Sequence, residues 1–184
     1  MIVKLDKDQA LAQLDLERER SRGFGGCVMC RLGSHQHAHE WIAENEHAVV
    51  TLDAYGATVG HLLVISKAHI ERTSGVKWHA YQAIQHLVWQ ASQVLDTELE
   101  PQRVYTAALG AARPMPMSFP HFHVHVVPVY ENDDRARPAH VFSWSAGVTC
   151  YSEDEARALR VRLRHAWPTT SGAAAHPVSK TTDC

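Results

Sequence analysis

The stretch His121-Phe122-His123-Val124-His125-Val126-Val127, flanked by Pro120 and Pro128, decides how this chain folds. Three histidines alternate with apolar residues. In an extended strand successive side chains point to opposite faces. Phe122, Val124 and Val126 then face a core, and the three imidazoles share the other face. Histidine is only an intermediate core residue, and packing alone gives no reason for three at period two. A half-exposed strand with its polar residues in water is the plain alternative. Two chemistries use such a row. One metal could be held by all three rings, or one ring could attack phosphorus while its neighbours orient it and stabilise charge on oxygen. At about 3.3 Å rise per residue, His121 and His125 lie roughly 13 Å apart. Zinc–nitrogen bonds of about 2.0–2.1 Å barely bridge that from a straight strand, so the phosphate chemistry is favoured.

Outward from this strand, Val104 to Leu109 reads as the preceding strand, joined to it by the loop Gly110 to Pro120. Upstream, Ser74 to Glu98 is one long helix. Leu87, Ala91, Val94 and Leu95 recur at helical spacing with Tyr81, Ile84 and His86, while Trp78 and Trp89 suit a core or an interface. His61 to Ile65 is a strong strand. Trp41 to Asn45 and His47 to Asp53 form a hairpin turning at Glu44-Asn45-Glu46. Ser34 to Glu40, with a second histidine row (His35, His37, His39), lacks an apolar face and reads as a solvated loop. Asp6 to Arg22 reads as an amphipathic helix carrying Leu11, Leu14 and Leu16, capped by Asp6 and stopped by Gly23, Gly25 and Gly26. Beyond the histidines, Val129 to Pro138 reads as a loop and Val141-Phe142-Ser143-Trp144 as a short extended piece. A capping box at Ser152-Glu153-Asp154-Glu155 opens a helix to about Trp167. The expected fold is α+β: an antiparallel sheet of about five strands, a long packing helix and terminal helices. The expected organisation is an N-terminal helical arm over 1–26, a catalytic domain over 27–167 and a mobile tail over 168–184.

With 184 residues, 45% of them hydrophobic, one domain is expected. A formal net charge of −2 gives no electrostatic case for binding a nucleic-acid polymer. The chain has no apolar run of membrane-spanning length and no secretory h-region, so a cytoplasmic protein is expected. Of Cys27, Cys30, Cys150 and Cys184, only the first two are close in sequence. That spacing argues for a metal or redox pair over a disulfide framework; two reduced, half-buried thiols are the plain alternative.

The triad stretch, the segment Gly60-His61-Leu62-Leu63-Val64-Ile65-Ser66-Lys67-Ala68-His69 and the opening Cys27-Val28-Met29-Cys30 together resemble the histidine triad family of nucleotide hydrolases and transferases. The resemblance runs from about Cys27 to Trp167. It implies a homodimer and attack on the α-phosphorus of a nucleotide conjugate by His123, giving a nucleotidyl-histidine that water resolves. His121 completes the triad, His125 and Ser118 would bond phosphate oxygens, and His61 would be a fourth pocket histidine. Asp53 would bind the ribose hydroxyls, a turn cap being its plain alternative. Arg113 is a candidate phosphate or leaving-group contact, or else an exposed surface charge. Zinc-bearing members, and the related galactose-1-phosphate uridylyltransferases, imply a closed structural Zn2+ site at Cys27, Cys30, His69 and His121, with no catalytic cofactor. The chain departs from the family at Gly110, where an amide is usual, and at Pro116-Met117, which replace a glycine-glutamine pair. Its layout resembles the fragile-histidine-triad branch, which implies dinucleoside polyphosphates (Ap3A- or Ap4A-like) as substrates. Transfer to phosphate, hydrolysis of a nucleoside phosphoramidate, and a nucleotide-binding protein with little turnover are the alternatives.

Overall fold

The computed structural model describes residues 2–109 and 119–168. Strands β2 (Trp41–Glu44), β3 (Ala48–Leu52), β4 (Leu62–Ser66), β5 (Arg103–Ala107) and β6 (His123–Val129) form one antiparallel sheet in the order β2-β3-β4-β6-β5. The α+β architecture is therefore the expected one. The period-two alternation divides its two faces. Val50, Leu52, Leu62, Val64, Val124 and Val126, with Phe122 just before β6, pack into one core with Ile84, Leu87, Ala91, Val94 and Leu95 of the long helix α3 (Trp78–Leu99). Helix α5 (Glu153–Ala166) adds Leu163 to the same core, and Ser152 and Glu155 cap it reciprocally. Trp78 and Trp89 are not in this core; they stand 70% and 54% exposed.

The opposite face carries the histidines. At one end, α2 (Val28–Leu32) packs Met29 against Trp41, Val49, Leu63 and Ile65. At the other, Val127 and Val129 meet Ala136 and Val141. Val141 lies on a helix, α4 (Pro138–Phe142), where an extended piece was expected. Pro138 occupies the first turn, where its fixed φ suits a helix and its missing N–H costs nothing. The row His35–Glu40 is a 3-10 helix.

The N-terminal helix is Lys7–Arg20 (α1), with Asp6 and Gln9 forming a capping box. Its buried residues are Ala10 and Leu14, whereas Leu16 is 49% exposed. Two three-residue strands escape sequence reading altogether: β1 (Val3–Leu5) pairs with β7 (Val148–Cys150). Their pairing tethers α1, and Thr149 also bridges to Gly56 in the loop after β3. Among the described residues no helix is long and apolar enough to cross a membrane.

Candidate active site

Register places His123 opposite Ile65 and His125 opposite Leu63, on the face away from α3. The ring of His123 is only 8% exposed. Its Nδ1 donates to the backbone carbonyl of His121 at 2.6 Å. A carbonyl only accepts, so the proton sits on Nδ1 and Nε2 keeps its lone pair. Burial pushes the His123 pKa below its ordinary value, so the ring is neutral at pH 7 and nucleophilic.

A second chain of hydrogen bonds fixes His125. The Ala57 N–H donates to His61 Nδ1 at 3.0 Å, so His61 carries its proton on Nε2. That proton is donated to His125 Nδ1 at 3.0 Å. His125 is therefore protonated on Nε2 and offers a donor beside the His123 ring, whose centroid lies 4.8 Å away. Gly56 permits the tight approach of the Ala57 loop: a Cβ there would stand 2.8 Å from the His61 Cβ. Burial drives the His61 pKa down to about 3 and His125 well below its ordinary value. Phe142 of α4 meets the His125 ring edge-on at 6.0 Å, a contact hidden from sequence because α4 was not expected.

Asp53 lies 3.4 Å from His61 Nδ1 through Oδ2 and accepts the Tyr55 N–H through Oδ1 at 3.0 Å. Burial raises its pKa, and charge on His125 would lower it. Asp53 also lines a cavity of about 240 Å³ beneath α1 and α2, whose wall includes Tyr55, Leu63 and Phe119. Of Leu52, Tyr55 and Val59, apolar residues around Asp53 in sequence, only Tyr55 lines this cavity. Leu52 belongs to the core under α3 and Val59 lines a separate cavity. Ser118 and Arg113, with Gly110 and Pro116-Met117, fall outside the described residues.

His121 turns elsewhere. Its ring is 1% exposed, Nε2 donates to the Ser66 carbonyl at 2.7 Å, and Nδ1 lies 3.4 Å from both Cys27 Sγ and Cys30 Sγ. His69 Nδ1 lies 3.2 Å from Cys30 Sγ. The triad thus splits: His121 reaches His123 through its carbonyl, and its ring belongs to a Cys-Cys-His-His cluster whose donor atoms all lie within 4.8 Å of one another. Tetrahedral zinc with two thiolates and two imidazoles separates S and N by about 3.6 Å, close to these contacts. The Ser66 carbonyl, which sequence reading missed, sets the tautomer that frees Nδ1 for a metal. The donor set therefore fits a closed structural zinc site joining α2, the end of β4 and the start of β6. Burial and the neighbouring Cys27 push the Cys30 thiol up to about 12, a shift that an adjacent cation reverses.

Comparison with known proteins agrees with this architecture. Residues 26–137 match the family described as "Scavenger mRNA decapping enzyme C-term binding". The chain is 34% identical over 105 residues to an uncharacterised HIT-like protein of Mycoplasma genitalium, covering 57% of this chain and 74% of that one. Among solved structures it is similar to a hypothetical histidine triad nucleotide-binding protein of Sulfolobus tokodaii (TM-score 0.58, 20% identity, 76% of this chain and 91% of that one). It is also similar to a Zn-bound histidine triad family protein of Mycobacterium smegmatis (TM-score 0.55, 23% identity, 76% and 94%).

Proposed function

Because this chain belongs to the histidine triad family, we propose that it is a nucleotide-conjugate hydrolase in which His123 Nε2 attacks the α-phosphorus. The observation that carries the reading is the 2.6 Å hydrogen bond from His123 Nδ1 to the His121 carbonyl, which leaves a neutral imidazole with its lone pair on Nε2. Attack forms an N–P bond as the P–O bond to the leaving group breaks. Water then cleaves the N–P bond, returning the nucleoside monophosphate and the free ring. The His125 Nε2–H donates to a phosphate oxygen and stabilises its developing charge. Ser118 and Arg113 are assigned to the same phosphates, and Asp53 to the ribose hydroxyls.

The substrate class is a 5′–5′ linked dinucleoside polyphosphate. Water is the acceptor; transfer to inorganic phosphate, or loss of an amine from a nucleoside phosphoramidate, uses the same nucleophile. Zn2+ on Cys27, Cys30, His69 and His121 is structural, a reading supported by the sulfur–nitrogen contacts of 3.2–3.4 Å and by the Zn-bound neighbour. It crosslinks elements and takes no part in the chemical step. Two copies pair, as the exposed Trp78 and Trp89 suggest; sedimentation checks this. The catalytic domain spans 27–167, with 1–26 as an arm, 168–184 as a tail, and a cytoplasmic location.

Quenched incubations with a diadenosine polyphosphate, a cap-like dinucleotide and a nucleoside phosphoramidate, read by intact-protein mass spectrometry, test the reading. A transient nucleoside-monophosphate adduct that is absent in His123→Asn is the expected result. No adduct and no product, with nucleotide still bound, would leave a binding protein. Metal analysis of untagged protein should find about one zinc per chain, lost in Cys27→Ser; metal-free native protein would refute the closed site.

A further inference from the structure

The stripe that α1 turns toward the body of the protein runs Ala10, Leu14, Glu17, Ser21. Ala10 and Ser21 are 0% exposed and Leu14 is 4% exposed, while the Glu17 side chain is 13% exposed. This i, i+4, i+7, i+11 spacing is that of a buried helix face, and a carboxylate stands where an apolar residue would pack. Glu17 Oε1 takes Arg20 Nη1 at 2.7 Å, Oε2 takes Arg31 Nη2, and Arg31 Nε donates to Ser21 Oγ at 3.1 Å. A staple between α1 and α2 accounts for those bonds. It does not account for the choice of charge, since a buried ion pair adds little that well-packed apolar residues would not.

The pair also lines the cavity that contains Asp53. With phosphate at His123 and ribose at Asp53, the base of a bound nucleotide enters that cavity. Its remaining walls are largely apolar, with Leu14, Val28, Met29 and Phe119 among them, surfaces that favour the larger ring system of a purine. Of its other carboxylates, Asp53 is committed to the ribose and Glu40 is held by His37 Nδ1 at 2.9 Å. Each oxygen of a carboxylate has two acceptor sites. One arginine bond to each Glu17 oxygen therefore leaves acceptor capacity at the cavity wall.

We propose that Glu17 accepts a hydrogen bond from the exocyclic amino group of an adenine or guanine base, so that α1, which precedes the family-matched segment, sets base selectivity. The proposal rests on the nucleotide-site reading above.

Two pairs of monophosphates differing by one amino group test it: AMP against purine riboside 5′-monophosphate, and GMP against IMP, each titrated calorimetrically into the full chain. The wild type should prefer the amino-bearing member of at least one pair by about tenfold or more, and the pair that discriminates names the base. In Glu17→Leu that ratio should fall toward one through loss of affinity for the amino-bearing member alone. Equal affinities within both pairs in the wild type, or a ratio that survives in Glu17→Leu, would overturn the assignment. Should that variant unfold, Glu17→Met combined with Arg31→Met, which removes the acceptor together with its buried partner, is read in the same way. If the wild type binds none of the four, the nucleotide-site reading fails first and this one with it.

Discussion

The carbonyl of His121 accepts the Nδ1 proton of His123 at 2.6 Å while the His121 ring, through Nδ1, faces Cys27 and Cys30 at 3.4 Å. One residue thus joins the Cys-Cys-His-His cluster to His123: whatever holds its ring also holds its carbonyl. His121→Ala should lower kcat by about a hundredfold, the effect of misplacing a reacting group by about an ångström, with KM nearly unchanged. Steady-state kinetics with parallel metal analysis checks this. A loss confined to KM would show that the carbonyl does not position His123.

In the proposed mechanism His61 acts on the phosphate only through His125, to whose Nδ1 it donates at 3.0 Å. Replacing it by Leu removes the Nε2–H that sets the His125 tautomer and should reduce kcat by about 10- to 100-fold, as loss of an orienting partner does. Full activity in His61→Leu would mean that His125 finds its tautomer unaided.

The same histidine makes stability depend on pH. Its pKa falls from an ordinary 6.5 to about 3 on folding, so between those values the unfolded chain binds the extra proton. Stability therefore rises with pH across that window and is lost on acidification. From pH 7 to pH 5 His61 alone should remove about 2 kcal/mol. The buried rings of His125 and His123 act in the same direction. Asp53 has the opposite sign: burial raises its pKa above 3.8, so it costs stability as pH rises through that raised range. Urea unfolding at both pH values, compared with His61→Gln, isolates the His61 part; identical pH slopes would refute it.

Gly60 has φ +85°, a conformation unfavourable for L side chains, and an added Cβ would stand 2.3 Å from Leu99 Cδ1. Its N–H donates to the Tyr151 hydroxyl at 2.8 Å, just before His61. Gly60→Ala should cost about 1–3 kcal/mol, visible in thermal unfolding. A melting temperature equal to the wild type would show that the loop has another conformation open to it.

Much of this was legible in the sequence because it depends on period two. The alternation from His121 to Val127 sends Phe122, Val124 and Val126 under α3 and leaves His123 and His125 on the other face. The four cluster residues and the acidic Asp53 came from resemblance, and the structure brings the four together. Other parts have no local signal. β1 and β7 are three residues each and exist only as partners of one another. Val141 and Phe142 have β-forming side chains, but Pro138 and the packing of Val141 on Val127 and Val129 make them helical. Trp78 and Trp89 suited a core or an interface by composition, and only their outward position on α3 sets the core aside. The Ala57 N–H and the Ser66 carbonyl are backbone groups, which no side-chain pattern reveals.

Pairing of Val3 with Cys150 spans almost the entire described chain. As the polypeptide is synthesised, β2 to β6 can assemble in sequence, but β1 has no strand to join until β7 has been made. The β1 anchor of α1 accordingly forms after the five-stranded sheet, and until then the α1 wall of the Asp53 cavity is held by its contacts with α2. Translation order alone thus separates the moment His61, His123 and His125 come together from the moment the cavity beside them is braced.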